Sequence, residues 1–234
     1  MFVQPPSIGE PPLRRESAKG AIRSGPPPPG GSSLPTLDAP AARARISAWK
    51  RQAREWCAGR SWLWRAPLVL YFAWSGLRRL RDPLSTDLFG GITLGVHELG
   101  HLVLGWAGRW PSVAGGSVAQ VAAPVAAGWI LARQRDWFGI TVAAAWLASS
   151  LFGLAAYVGD ARAQELPLVG FVPDPIHDWN WMLSRLGLLG WDRGLAALTR
   201  GLSFVIWAAS VIAGTWLCRE MTIWKKAETR GTQD

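Results

Sequence analysis

Residues 88–108 read LFGGITLGVHELGHLVLGWAG. Glu98 is the only acidic residue in this stretch, and it contains no Lys or Arg. At a helical rise of about 1.5 Å per residue, a run of this length matches the bilayer hydrocarbon, about 30 Å thick. The stretch therefore predicts a transmembrane helix, and the fold class follows: all-α, an integral membrane helical bundle. His97 and His101 stand four residues apart, so their imidazoles lie one above the other on a single helix face. A carboxylate at Glu98, near the middle of an otherwise uncharged run, is costly in lipid and points to function.

Outward from this helix, three further runs are long and apolar enough to span. Val113 to Ala132 is rich in small residues, among them Gly115, Gly116, Ser117 and Ala119. Small residues let helices approach closely in lipid, which suits a partner for the motif helix. Pro124 within it removes a backbone donor and predicts a kink. Trp137 to Val158 and Leu202 to Cys218 carry no charge. The expected bundle thus has about four spanning helices. A polar connection, 159–201, joins the last two and contains an interfacial helix from Trp179 to Leu189.

Upstream, Pro67 to Trp74 is apolar but short and bracketed by Arg65, Arg78, Arg79 and Arg81. It reads as a surface-lying or re-entrant helix. Ala41 to Arg65 reads as a basic helix with Ile46, Trp49, Ala53 and Trp56 at helical spacing, suited to an anionic membrane surface. Residues 1–40 hold ten of the 17 prolines. Such a composition cannot bury a core and predicts disorder. The expected organisation is a Pro/Gly-rich cytoplasmic tail (1–40), a basic amphipathic segment (41–86), the transmembrane bundle (87–220) and a C-terminal tail (221–234).

The formal charge of +9 and pI near 10.7 raise the question of nucleic acid. The distribution argues against it. Fourteen of the 25 basic residues precede Asp87, apolar runs follow, and 16 Trp suit a membrane interface. Four spans place both termini on one side. That side collects twenty Lys and Arg, against five on the other: Arg109, Arg162, Arg185, Arg193 and Arg200. The positive-inside rule then makes both termini cytoplasmic, in a multi-pass protein of the cell inner (plasma) membrane. No signal peptide is expected, since the first residues lack an apolar core. Cys57 and Cys218 fall near the reducing face and read as free thiols.

His97-Glu98-Leu99-Gly100-His101 carries the chemistry. Two imidazoles at i and i+4 can both reach one zinc ion at about 2.0–2.1 Å. Glu98 follows the first ligand and can serve as general base towards a water that zinc acidifies to a pKa of about 7. A zinc hydrolase needs a third protein ligand and an open fourth position. The sequence offers Asp160, at the close of the third span, and His177, the one histidine outside the motif; Asp178 and Glu165 are further candidates.

An HExxH motif in a transmembrane helix, a Gly-rich second helix and an acidic residue at the end of the third resemble the site-2-protease family of intramembrane zinc metallopeptidases. The resemblance covers roughly residues 87–162. It implies zinc as cofactor, ligands His97 and His101, Glu98 as catalytic base, and a peptide or membrane-protein substrate within the bilayer. The family's Asn-Pro and Leu-Asp-Gly pattern around its ligand Asp is absent here, and Gly159-Asp160-Ala161 is the nearest match. A rival expectation is a non-catalytic membrane subunit that keeps a metal site and packs against partner subunits. A second rival is a zinc hydrolase of lipid or other non-peptide substrates.

Overall fold

The computed structural model describes residues 39–168 and 176–231, with side chains over 42–168 and 176–225. Residues 1–38 of the expected disordered tail, Pro173 and Pro175, and the last three residues of the C-terminal tail lie outside the described residues; Ala39 and Pro40, expected in the tail, are helical.

The described residues are helical, without strands. Seven α-helices follow in order: α1 (Ala39–Cys57), α2 (Arg65–Arg81), α3 (Gly90–Leu104), α4 (Arg109–Arg133), α5 (Trp137–Gly159), α6 (Asp178–Arg185) and α7 (Asp192–Gly231). Short 3-10 turns precede α4 and α7. Three helical stretches are long and apolar enough to cross a membrane: α4, α5 and Leu189–Lys225. The motif helix is shorter than expected. Leu88–Gly108 contracts to α3, because Gly105–Ala107 tighten into a 3-10 turn and Gly108 takes a φ of 106°. That left-handed value is open to glycine at little cost.

Uniformly apolar α5 is the central element, and its start is fixed by Asp136, whose carboxylate accepts the Gly139 N–H at 3.0 Å. Helix α7 lies along it through small residues. Ser203 donates to the Ala148 carbonyl and Ser210 to that of Thr141, at 2.7 and 2.8 Å. Both hydroxyls are buried and satisfied within the bundle. Trp207 Nε1 donates to the Phe72 carbonyl at 2.8 Å, and its indole fills the space left by Gly76. α4 runs unbroken past Pro124.

Helix α2 is longer than the expected Pro67–Trp74 segment and packs on α7 and α5. Its start lies near Phe138, Phe72 at its middle packs with Ala145, and Arg79 near its end reaches Ser149. Arg79 is buried and salt-bridged to Asp87 at 3.1 Å. The chain then turns through 82–89, which brings Phe89 back against Phe72 and Ala145. Helix α3 runs the same way along α5, from Thr93, which accepts from Trp146 Nε1 at 3.0 Å, to His97 beside Tyr157. α2 and α3 thus run in the same direction beside α5, overlapping at Phe72 and Phe89. One end of the bundle gathers α1, Trp137, Cys218 and Met221. The other gathers the start of α4, the end of α5, α6 and Asp192, tied by the Arg162–Asp192 pair at 2.7 Å.

Candidate metal centre

Helices α3 and α4 cross backbone to backbone at Gly100 and Gly115. A Cβ on either would overlap the carbonyl of the other. This approach sets the residues on each side in register: His97 and His101 on α3 meet Gly116 and Gln120 on α4. A Cβ built on Gly116 would sit 2.5 Å from His97 Nε2 and overlap His101 Nε2 as well. The glycine therefore keeps open the space beside both nitrogens.

The imidazole tautomers follow from their partners. Gln120 Nε2 donates to the Ser150 carbonyl at 2.7 Å, which leaves Gln120 Oε1 facing His97 Nδ1 at 2.9 Å. A carbonyl oxygen accepts only, so His97 Nδ1 carries the proton. His101 Nδ1 lies 2.7 Å from the Ser112 carbonyl and carries its proton for the same reason. Both Nε2 atoms then point away from these partners, into the space beside Gly116. Outer partners that fix ring orientation in this way are characteristic of metal-binding histidines.

The two Nε2 atoms meet a carboxylate from α6. Asp178 Oδ2, on the first residue of α6, lies 3.3 Å from His97 Nε2 and 3.3 Å from His101 Nε2. Burial pushes the Asp178 carboxyl up, but the two facing imidazoles outweigh it and hold the group below the usual carboxylate range. Atoms bonded at about 2.0–2.1 Å to one tetrahedral ion lie about 3.3–3.4 Å apart. The two nitrogen–oxygen separations have the length of such edges. Two imidazole nitrogens and a carboxylate oxygen converge here, residue types that bind cations. The ligand-capable atoms of His97, Glu98 and His101 also lie within 4.8 Å of one another, a group that can hold a metal ion. Among the described residues, no hydrogen bond ties the Glu98 carboxylate down.

Of the sequence candidates, His97, Glu98 and His101 come together; Asp160 and His177 do not join them. His177 caps α6 from an extended conformation, its Nδ1 accepting the Asn180 N–H at 3.2 Å. The switch from extended to helical backbone sends the adjacent side chains opposite ways. Asp178 turns to the histidines, and His177 Nε2 turns to Asp160 Oδ2 at 3.3 Å. Burial holds the His177 imidazole below its ordinary pKa, so it is neutral. Asp160 is spent on the chain itself, accepting the N–H groups of Glu165 and Leu166 at 2.9 and 3.1 Å. Glu165 is exposed. Ser112 and Tyr157 are site residues that sequence reading missed, and Gly116 and Gln120 read only as parts of a close-packing, Gly-rich helix. Only the Gly-rich character of 115–116 pointed towards any of them.

The centre opens into a cleft of about 700 Å³. His97, Glu98, His101, Tyr157 and Asp178 line it, with apolar walls such as Leu94 and Leu102 and two cationic side chains, Arg79 and Arg109. The cleft provides the open side that a catalytic metal needs. Gly116 is seven residues into α4, about 10 Å from the helix start, so the centre sits near the α6 end of the bundle. No family model, curated protein or solved structure matches the chain.

Proposed function

We propose that this chain is a membrane-embedded zinc metallopeptidase with His97, His101 and Asp178 as protein ligands and Glu98 as general base. The observation that carries the reading is the convergence of two imidazole Nε2 atoms on one carboxylate oxygen, each 3.3 Å from it, beside a glycine and open to a cleft. Nitrogen–oxygen donor sets of this kind suit zinc. The reading agrees with the site-2-protease resemblance in its HExxH helix and Gly-rich partner, and departs from it in taking the third ligand from α6.

In a bilayer, α4, α5 and α7 would cross continuously, and α2 with α3 would make a fourth, broken crossing. That count of four keeps both termini cytoplasmic by the charge distribution. The metal centre, near the α6 end, then lies in the outer part of the inner membrane.

Zinc, when bound, supplies Lewis acidity that acidifies water and polarises a carbonyl. The remaining steps belong to the chain. Glu98 takes the proton of the attacking water and returns it to the leaving amine, so the base is regenerated. Its lack of a hydrogen-bond partner leaves it free to do both. Leu94 and Leu102 give an apolar wall for an apolar substrate segment, and the cleft shields that segment from lipid.

The test compares wild type with Glu98→Gln at equal zinc loading in reconstituted vesicles. The probe is a fluorescence-quenched single-span peptide. Loss of a general base lowers turnover by roughly 10² to 10⁴. Equal cleavage by both proteins removes Glu98 as base and the peptidase assignment with it. Zinc binding without cleavage by either protein favours the non-catalytic subunit.

A further inference from the structure

Asp178 is the ligand with the weakest local support. It opens an eight-residue helix at the end of a long connection, and its carboxylate has two rotatable bonds. Its hold comes from α5. Tyr157 Oη accepts the Asp178 backbone N–H at 3.0 Å and donates to Asp178 Oδ2 at 3.3 Å. One hydroxyl therefore grips both the main chain and the side chain of the same residue. The gripped atom, Oδ2, is the one that faces both histidines.

The tyrosine is itself held. Its ring stacks on His177 with centroids 4.3 Å apart and meets the His97 ring near edge-on at 6.0 Å. Tyr157 and Asp160 are three residues apart, so they share a face of the last turns of α5. Together they receive the neighbours His177 and Asp178: Asp160 faces the first and Tyr157 holds the second.

We infer that Tyr157 is the positioning residue of the metal centre, fixing the Asp178 carboxylate so that Oδ2 is presented to His97 and His101. This rests on the zinc reading above. Without the hydroxyl, Asp178 can rotate, and its backbone N–H loses its acceptor. Supports of this kind typically govern metal affinity by about 10–100-fold.

The test measures zinc affinity by chelator competition for wild type, Tyr157→Phe and Ser203→Ala. Ser203 is a control of similar kind, a buried hydroxyl bonded to the Ala148 carbonyl and remote from the metal centre. Tyr157→Phe should weaken zinc binding about 10–100-fold, and Ser203→Ala should leave it within about twofold. Wild-type affinity in Tyr157→Phe, or equal weakening in both variants, overturns the inference and leaves the metal centre standing. Absence of zinc binding by the wild type overturns the metal reading itself. A second measurement needs no substitution at the site. The chain has two tyrosines, so 3-fluorotyrosine labelling gives two fluorine signals, assigned with Tyr71→Phe. Zinc should shift the Tyr157 signal and leave that of Tyr71, whose hydroxyl accepts the Leu88 N–H. An unmoved Tyr157 signal in a zinc-binding protein overturns the inference.

Discussion

Gly116→Ala is the sharpest perturbation of the proposed centre. The added carbon would stand 2.5 Å from His97 Nε2 and overlap His101 Nε2. Ordinary contact needs about 3.5 Å, so an imidazole must retreat by about 1 Å. Metal ligands tolerate displacements of only about 0.2 Å. Zinc affinity should therefore fall by at least about 100-fold, the upper end of what loss of a supporting group costs. Folding should suffer less, because the obstacle is the far end of two side chains. Overpacking costs about 1–3 kcal/mol, and replacing a mid-helix glycine returns about 1 kcal/mol. Two other α4 glycines bracket the result. A Cβ on Gly115 meets the Gly100 backbone, which cannot turn aside, so Gly115→Ala should disrupt packing of α3 on α4. A Cβ on Gly128 meets Ala143 at 3.5 Å, so Gly128→Ala should be silent. Zinc stoichiometry, chelator competition and thermal unfolding of the metal-free protein would read all three. A Gly116→Ala protein that binds one zinc with wild-type affinity would refute the placement of the metal between the two Nε2 atoms.

The same geometry bears on ligand choice, thiol reactivity and topology. Asp178→Ala should lose zinc, whereas Asp160→Asn should weaken it modestly by loosening the 160–166 turn; the opposite ranking in chelator competition would restore Asp160 as ligand. Burial pushes the Cys57 thiol up from 9.0 to about 11. At pH 8 its thiolate fraction is then about 100-fold below that of an unfolded cysteine, and iodoacetamide should label it correspondingly slowly until denaturant is added. In a cysteine-free background, a membrane-impermeant thiol reagent should reach a cysteine at Arg135 from the cytoplasmic face and one at Trp191 from the other. Labelling of both from one face would discard the four-crossing topology.

The parts legible in the sequence are those governed by local pattern. Helix α5 is legible to within one residue of its bounds because an uninterrupted apolar run comes after Asp136, a residue able to cap it. The histidine pair is legible because i, i+4 spacing alone puts two rings on one face. Helix α7 extends well past its apolar run. Arg193, Arg200 and Arg219 look like boundaries, yet a helix whose ends leave the apolar zone carries such residues without breaking. Helix α2 exceeds its sequence signal for a different reason. Arg79 looks like a solvated end, but it is buried against Asp87 and Ser149, one of them 70 residues away. The proposed third ligand is beyond local reading. Asp160, Glu165 and Asp178 are all carboxylates, and the docking of α6 through Trp179 on Ser117 and Asn180 on the Ala161 carbonyl is what brings Asp178 to the histidines.

The glycine crossing of α3 and α4 also fixes an angular phase. Each residue added to a helix rotates the residues after it by about 100°. Gly115 is locked to Gly100, and Gln120 must still face His97 five residues later. A single insertion between Gly116 and Gln120 would swing the amide a quarter-turn away and leave the His97 proton without its acceptor. The same insertion in the turn after Leu104 falls in the connection between the two locked helices and leaves the spacing from Gly115 to Gln120 untouched. Length variation should therefore be absorbed at 105–108 and refused at 116–120, although both segments are glycine- and alanine-containing and would look equally permissive from composition.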